Sequence, residues 1–212
     1  MAYSTINKHT DFFNTKLYTG TGSSNAISGV GFKPDLVWTK ARSEARGHNL
    51  NDIARGPSKW IGSNDTATEQ TVAQGLTSFD SDGFTVGTGN DINKNTITFA
   101  SWNWLAGGSQ GSSNTDGSIN TTYTSANTTS KFSISKYVGT GSAATVGHGL
   151  GVVPKMIIIK DLSASTDWTV YHAELGNTVR LVLNSTAPTE DDASFFNDTS
   201  PTSSVFSIGS SS

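Results

Sequence analysis

Tyr18-Thr19-Gly20-Thr21-Gly22-Ser23 is repeated later in the chain as Tyr137-Val138-Gly139-Thr140-Gly141-Ser142. Further matches follow at nearly constant spacing: Pro34 with Pro154, Leu36–Lys40 with Met156–Lys160, Gly56 with Gly176, Asn64 with Asn184, and Phe84–Gly87 with Phe206–Gly209. A spacing kept over this length with few insertions indicates an internal duplication. A duplicated surface multiplies contacts, so the repeat favours a scaffold or a binding protein over an enzyme.

The residues around the repeats form short apolar runs separated by glycine-rich turns. Ile157-Ile158-Ile159 has no alternation of apolar and polar residues, which predicts a strand that is buried on both faces. Asp80-Ser81-Asp82-Gly83 stands between two apolar runs and predicts a β-hairpin turn. No stretch has a convincing helical period. We therefore predict an all-β fold of tandem modules that are β-sandwich-like or jelly-roll-like.

Thr96–Leu105 is the longest predicted strand of the first repeat. Its apolar phase changes between Phe99 and Trp102, which predicts a β-bulge or a strand that crosses two environments. The second repeat ends soon after Gly209 without a counterpart of this strand, so we expect the second module to be incomplete. Either the chain continues beyond Ser212 or another subunit donates the missing strand, and we favour continuation.

The repeat divides the chain into four parts. Residues 1–16 are a polar lead-in that we expect to contact a partner, and residues 17–108 are the first β module. Residues 109–130 form a connector rich in Ser, Asn, Thr and Gly, whose apolar residues predict an edge strand. Residues 131–212 are the truncated second module.

Composition excludes several classes of protein. Lys and Arg total 14 against 17 Asp and Glu, the net charge is −3, and no basic stripe predicts nucleic-acid binding. The absence of cysteine excludes disulfides, thiolate metal sites and a cysteine nucleophile. Met1–Thr5 does not resemble the start of a signal peptide, and no apolar run is long enough to insert in a membrane. We expect folding in a cytosol, and release by lysis if the protein leaves the cell.

We predict no catalytic residue, metal site or cofactor. Asp80 and Asp82 are spaced unlike a calcium loop of the EF-hand type, because the glycine is misplaced. The candidate acids for polysaccharide hydrolysis share no motif between the repeats: Glu44, Glu69, Glu174 and Glu190. The histidines have no metal-ligand spacing and are expected in turns or on the surface: His9, His48, His148 and His172.

Aromatic residues are the candidates for binding. Trp38 aligns with Ile158 and is expected in the core, whereas Trp60 aligns with Arg180 and is expected at the surface. Trp102 and Trp104 project from the same face of one strand, as core residues or as a paired platform. The predicted contacts to a partner or a glycan are Phe12, Phe13, Trp60, Trp102 and Trp104.

Several stretches resemble a repeated domain of tailed-bacteriophage virion proteins, which is common in marine and cyanobacterial phages, tail-fibre-like and functionally uncharacterised. The stretches that carry this resemblance are Tyr18–Gly22, Gly29–Trp38, Gly75–Gly87, Ser113–Ile119, Val146–Gly151, Pro154–Lys160 and Trp168–His172. Together they cover nearly the whole chain.

The resemblance implies a non-enzymatic structural protein of the virion, assembled in the host cytoplasm. It implies a fibre or tail appendage that is anchored by its N-terminal modules and serves host attachment. The implied partners are other tail or capsid proteins, sister subunits in a homo-oligomer (a trimer, as in other phage fibres), and a host surface glycan reached through a further C-terminal part. The alternatives are a head-decoration or head-fibre protein that stabilises the capsid shell, and a carbohydrate-binding module or depolymerase on the tail.

Overall fold

The computed structural model describes residues 6–211, and its regular secondary structure is almost entirely antiparallel β-strand, which confirms the all-β prediction. The described chain forms two compact units, residues 6–62 with 69–110 and residues 63–68 with 111–211. Residues 1–5 of the predicted lead-in lie outside the described residues. None of the described helices is long and apolar enough to cross a membrane.

The first unit contains nine strands and two short helical turns. They are a 3-10 turn at His9–Asp11, β1 Phe13–Thr19, β2 Asn25–Ser28, β3 Leu36–Ala41, β4 His48–Asp52, β5 Lys59–Trp60, β6 Gln70–Thr71, β7 Leu76–Asp80, β8 Gly83–Val86, α1 Asn90–Asn93 and β9 Thr98–Trp104. Phe13 opens β1, so the last residues of the predicted lead-in belong to the first sheet.

Two sheets enclose the core of the first unit. One has the strand order β1-β9-β3-β4 and the other β2-β8-β7, while β5 and β6 form a separate pair. The last strand in sequence, β9, is therefore central and pairs with β1 and β3 in uninterrupted register. Of the two predictions for this strand, the bulge is wrong, because neither ladder contains a register shift. Phe99 points into the core and is fully buried, whereas Trp102 and Trp104 project from the opposite face, so both faces of the strand carry aromatic residues.

One buried asparagine fixes the glycine-rich turn of the first repeat. The Asn93 side chain accepts hydrogen bonds from the Thr21 N–H (2.9 Å) and from the Asn25 Nδ2 (3.2 Å). Its Nδ2 donates to the carbonyl groups of Ser23 (2.5 Å) and Gly87 (2.6 Å). The chain also comes so close at Gly20 that a Cβ there would collide with the backbone around Asn93. The turn after β1 thus depends on the segment between β8 and β9.

The second unit contains eight strands and one helical turn. They are β10 Tyr123–Asn127, β11 Phe132–Lys136, β12 Ala144–Gly147, β13 Met156–Ile159, β14 Thr169–His172, β15 Gly176–Val182, β16 Glu190–Asp191, α2 Ala193–Phe196 and β17 Val205–Ile208. The sheets have the orders β10-β11, β12-β17 and β13-β14-β15-β16. The strand β10 lies within the segment that the sequence identified as a connector.

The two units share a pairing register. In the first unit Ile27 pairs with Phe84, and in the second Val146 pairs with Phe206 at the equivalent positions. The repeated residues also occupy equivalent places in the two apolar cores: Tyr18 and Tyr137, Ile27 and Val146, Val37 and Ile157, Phe84 and Phe206, Val86 and Ile208. The repeated sequence therefore specifies core packing and turns.

The second unit differs in that β13 is an edge strand, whereas β3 is an inner strand. Met156 is 51% exposed and Ile158 is 41% exposed, so the prediction that both faces of this strand are buried is wrong. The physical reason is that no described strand occupies the place beside β13 that β9 occupies beside β3. The predicted hairpin at Asp80–Gly83 is confirmed, because β7 and β8 pair across it.

Candidate functional site

Aromatic side chains line the outer face of the four-stranded sheet in the first unit. They come from three adjacent strands, since Phe13 of β1 is opposite Trp104 of β9, and Trp38 of β3 is opposite Trp102 of β9. Residues directly opposite on neighbouring antiparallel strands are close enough for their side chains to touch. We call the half-buried set Phe13, Trp38, Trp102 and Trp104 the aromatic face.

The rings of the aromatic face pack in two pairs. The Phe13 and Trp104 centroids are 4.9 Å apart with a tilt of 50°, and those of Trp38 and Trp102 are 6.3 Å apart at 66°. These separations are in the range that favours tilted and edge-to-face aromatic pairs. The rings therefore hold each other in fixed orientations while leaving part of their surface to solvent.

His48 anchors one end of the aromatic face. The Trp38 Nε1–H donates to the His48 Nδ1 (2.9 Å), and the Trp60 Nε1–H donates to the His48 carbonyl (3.2 Å). Burial, and secondarily the charge of Lys40, lowers the pKa of His48 below its usual value. The imidazole is accordingly neutral near pH 7, as it must be for Nδ1 to accept from the indole.

This arrangement suits binding rather than acid–base chemistry. A row of partly exposed rings offers a flat apolar surface on which a sugar ring can stack or a protein can pack. Leu17, which is 64% exposed, stands on the same face of β1 and extends that surface. Lys40 lies opposite Ala100 at the same end of the sheet as Leu17.

The structure brings together some of the predicted binding residues. Phe13, Trp102 and Trp104 meet on the aromatic face, and Trp60 joins it through His48. Phe12 is half-buried at the end of the 3-10 turn, where its carbonyl accepts from the Leu105 N–H (2.8 Å). Trp38 was expected in the core and His48 in a turn or on the surface, and both predictions are wrong, because Trp38 is half-buried on the aromatic face and His48 is half-buried in β4 beside it. Both residues could be found only from the pairing register, because opposite positions on β3, β4 and β9 are remote in sequence.

Buried charged groups in the first unit have structural contacts. The Asp35 carboxylate accepts from the N–H groups of Ala106 (2.8 Å) and Gly108 (2.7 Å), and burial raises its pKa. Arg55 pairs with Asp52 (2.5 Å) and with Glu69 (3.5 Å). Because the guanidinium lies between these two carboxylates, they do not form the pair facing an open groove that glycoside hydrolysis requires.

Two further candidate acids form local ion pairs. Glu44 pairs with Lys94 and Arg46, and Glu190 pairs with Arg180. Within residues 6–211 no group of three or more His, Asp or Glu side chains is arranged to hold a metal ion.

His148 was expected in a surface turn, and this prediction is wrong. Its side chain is buried, and both ring nitrogens have backbone partners. Nδ1 accepts from the Leu150 N–H (3.1 Å), and Nε2 lies 3.2 Å from the Thr202 carbonyl.

The molecule is thus an all-β protein of two related units, the first of which presents a partly exposed aromatic face. The chain belongs to the family described as Domain of unknown function (DUF7483), which matches residues 8–212. No curated protein and no solved structure matches the chain.

Proposed function

We propose that this chain is a non-enzymatic structural protein of a tailed-bacteriophage particle, in a fibre or tail appendage that serves host attachment. The observation that carries the proposal is how the duplicated residues are used. Phe84 and Phe206, and Val86 and Ile208, occupy equivalent core positions in sheets of identical register. Duplication that preserves the framework supports a structural or adhesive protein that is built from tandem modules.

The test is to purify phage particles from a lysate of cells that express this chain and to measure the intact mass and the copy number of the protein in them. A fibre or appendage predicts few copies per particle and a mass well above the 22.3 kDa of these residues. A mass near 22.3 kDa at high copy number would support a head-decoration protein instead. Absence of the chain from the particles would overturn the structural assignment.

A second candidate, a carbohydrate-binding module on the particle, is favoured by the aromatic face. Trp38 and Trp102 form an edge-to-face pair whose outer surface is partly exposed, and base- or sugar-sized rings stack on such surfaces. The experiment is binding of the purified chain to host surface polysaccharides by isothermal titration calorimetry.

A matched pair of variants tests whether the aromatic face carries that binding. Trp38→Thr removes a ring from the aromatic face, and Ile158→Thr makes the equivalent change in the second unit. If the aromatic face binds the carbohydrate, Trp38→Thr should lower the affinity for the polysaccharide at least about tenfold, and Ile158→Thr should not lower it. Equal affinities for both variants would exclude the aromatic face as the binding site.

A further inference from the structure

Two cationic side chains beside the aromatic face have no acidic partner. Lys40 is in β3, and Arg42 follows directly after the end of that strand. Among residues 6–211 neither of them forms a salt bridge, whereas Arg46, Arg55 and Lys94 are all paired with acids. One end of the four-stranded sheet therefore carries positive charge that no ion pair neutralises.

The pairing register places both cations on the same side of the sheet as the rings. Lys40 alternates with Trp38 along β3 and is diagonal to Trp102 of β9, at a backbone spacing of about 7 Å from each. The Arg42 N–H donates to the Thr98 carbonyl (2.7 Å), so the ladder continues to Arg42. Arg42 consequently shares the face of Lys40, and it is exposed.

The second repeat contains an equivalent lysine whose surroundings are different. Lys40 donates to the Ala41 carbonyl (3.1 Å), and its equivalent, Lys160, donates to the Asp161 carbonyl (2.7 Å), so both ammonium groups bond to the residue that follows. Burial lowers the pKa of Lys160, and the negative charges of three nearby carboxylates oppose that change. These carboxylates belong to Asp65, Asp161 and Asp167. The repeated lysine is thus surrounded by acids in one unit and left without an ion pair in the other.

The second cation has no counterpart in the second repeat. At the constant spacing of the repeats, Arg42 aligns with Leu162, and Trp38 aligns with Ile158. The first unit therefore combines an indole pair with two cations on one face, and the second unit has neither the rings nor the second cation at the equivalent positions. This difference assigns the combination to a role that is specific to the first unit.

The groups on this face are held in place before any ligand arrives. The contact with the Ala41 carbonyl occupies one of the three N–H donors of Lys40 and leaves two for a ligand. The Trp38 ring is oriented by its hydrogen bond to His48 and by the Trp102 ring. A ligand that meets such groups loses little free energy in ordering them.

We propose that the aromatic face binds a glycan whose sugar ring carries a carboxylate, that is, a hexuronate. The ring stacks on the Trp38–Trp102 pair, and the carboxylate is bound by Lys40 and Arg42. A carboxylate projects from the edge of a sugar ring, and the two cations lie beside the indole rings, so one sugar can reach both. The guanidinium of Arg42 offers paired donors that match a carboxylate. The proposal rests on the carbohydrate-binding function proposed above and names its substrate class.

Single-stranded nucleic acid is the competing ligand, because it also combines flat rings with negative charge. Its binding requires a positively charged groove that follows several successive phosphates. The outward positions of β1 and β9 that continue the aromatic face are uncharged. They are Thr15, Leu17, Thr19, Thr98 and Ala100. Two cations at one end of an otherwise uncharged face suit a single carboxylate better than a phosphate backbone.

The experiment measures binding of the full chain to acidic oligosaccharides by isothermal titration calorimetry. The probes are oligosaccharides of galacturonate, glucuronate and mannuronate, each compared with the same oligosaccharide after reduction of its carboxylates to alcohols. We expect at least one acidic probe to bind about tenfold more tightly than its reduced form, and to bind more weakly as salt is added. If no acidic probe binds more tightly than its reduced form, the proposal is wrong.

Substitutions of the equivalent lysines provide the matched control. We expect Lys40→Gln and Arg42→Gln each to lower the affinity for the acidic probe about fivefold, without changing the affinity for the reduced probe. Lys160→Gln should change neither affinity. Because Arg42 is exposed, its substitution leaves the fold intact. Unchanged affinity in Arg42→Gln and Lys40→Gln, or an equal loss in Lys160→Gln, would contradict the assignment of the carboxylate to these two cations.

The remaining outcomes separate this proposal from the function on which it rests. If acidic and reduced probes bind equally well and Trp38→Thr abolishes the binding of both, the aromatic face binds carbohydrate and the carboxylate proposal is wrong. If no oligosaccharide binds, both are wrong. A labelled oligothymidylate that binds more tightly than every acidic probe would identify the ligand as nucleic acid and would also overturn the proposal.

Discussion

Tyr18 and Tyr137 show how single residues carry the duplication. Each makes an edge-to-face contact with the equivalent phenylalanine, Phe84 at 6.2 Å and Phe206 at 6.3 Å. The Tyr18 hydroxyl also donates to the Ile92 carbonyl (2.7 Å), a residue with no described counterpart in the second unit. Burial raises the pKa of both phenols, because the phenolate would be poorly solvated at the core.

The raised pKa of Tyr137 makes the stability of the second unit sensitive to alkali. Its pKa is about 12 in the folded chain against an ordinary value of 10.0. Above pH 10 the unfolded state loses this proton first, so the contribution of Tyr137 declines as pH rises towards 12. We expect the free energy of unfolding of Tyr137→Phe to fall less over this range than that of the unchanged chain. Urea unfolding at successive pH values measures this free energy for both proteins. If it falls equally with pH in both, Tyr137 is not the titrating group.

His148 gives the opposite dependence on pH. Burial, its largest cause, lowers the pKa of His148 below 6.5, so below pH 6.5 the unfolded state gains a proton that the folded state excludes. The stabilising contribution of His148 is complete above pH 6.5 and is lost as the pH falls from there through the pKa that His148 has in the folded chain.

The variant His148→Asn keeps an acceptor for Leu150 and cannot be protonated. We expect it to cost about 1 kcal/mol at pH 8 through the lost contact with Thr202, and to lose less stability than the unchanged chain below pH 6.5. The measurement is urea unfolding at pH values between about 4.5 and 8, a range that includes the ordinary pKa of histidine. A variant as acid-sensitive as the unchanged chain would exclude His148 as the titrating group.

At the scale of elements, Asn93 joins the turn after β1 to the segment before β9. Asn93→Ala would remove the side-chain hydrogen bonds to the Thr21 N–H and to the carbonyl groups of Ser23 and Gly87. We expect a loss of about 1–3 kcal/mol in the free energy of unfolding, because the Asn93 side chain is fully buried, whereas Thr21 and Ser23 are exposed and water can replace their lost partner. Chemical denaturation measures it.

The control for this prediction is Asn95→Ala, an exposed position in the same loop. We expect its free energy of unfolding to stay within about 0.5 kcal/mol of the unchanged chain. Equal losses for Asn93→Ala and Asn95→Ala would show that the loop as a whole, and not the hydrogen bonds of Asn93, determines the cost.

The elements also show what the sequence can predict. The β7–β8 hairpin and the equivalence of Leu36–Ala41 with Met156–Ile159 follow from local patterns and from the repeat. The central place of β9 does not, because its pairing with β1 joins residues remote in sequence. The aromatic face depends on that pairing, so sequence identified Trp102 and Trp104 as neighbours but not their contact with Trp38 and Phe13. Likewise, the apolar run Ile157–Ile159 predicts a strand buried on both faces, but its place at the edge of the described sheet depends on pairing that the local pattern does not contain.

At the scale of the whole molecule, each unit has a core of its own. Phe84 is fully buried in the first core and Phe206 is 6% exposed in the second. We expect Phe84→Ala and Phe206→Ala each to cost about 3–5 kcal/mol, through lost burial and the cavity that remains.

Amide hydrogen exchange resolves which unit each substitution affects. We expect Phe84→Ala to accelerate exchange chiefly in β2, β7 and β8, and Phe206→Ala chiefly in β12 and β17, because each ring packs within its own cluster. Uniform acceleration throughout the chain by either variant would show that the two units unfold as one.

The place of β9 also affects how the protein is made. Synthesis releases β1 and β3 long before the strand that joins them. At about 5–20 residues per second, β1 remains unpaired for on the order of ten seconds before Thr98–Trp104 leaves the ribosome. During that interval the nascent chain presents two unsatisfied strand edges. Translation speed across residues 20–97, and the chaperones present at the tunnel exit, should therefore govern the yield of native protein more than its final stability does.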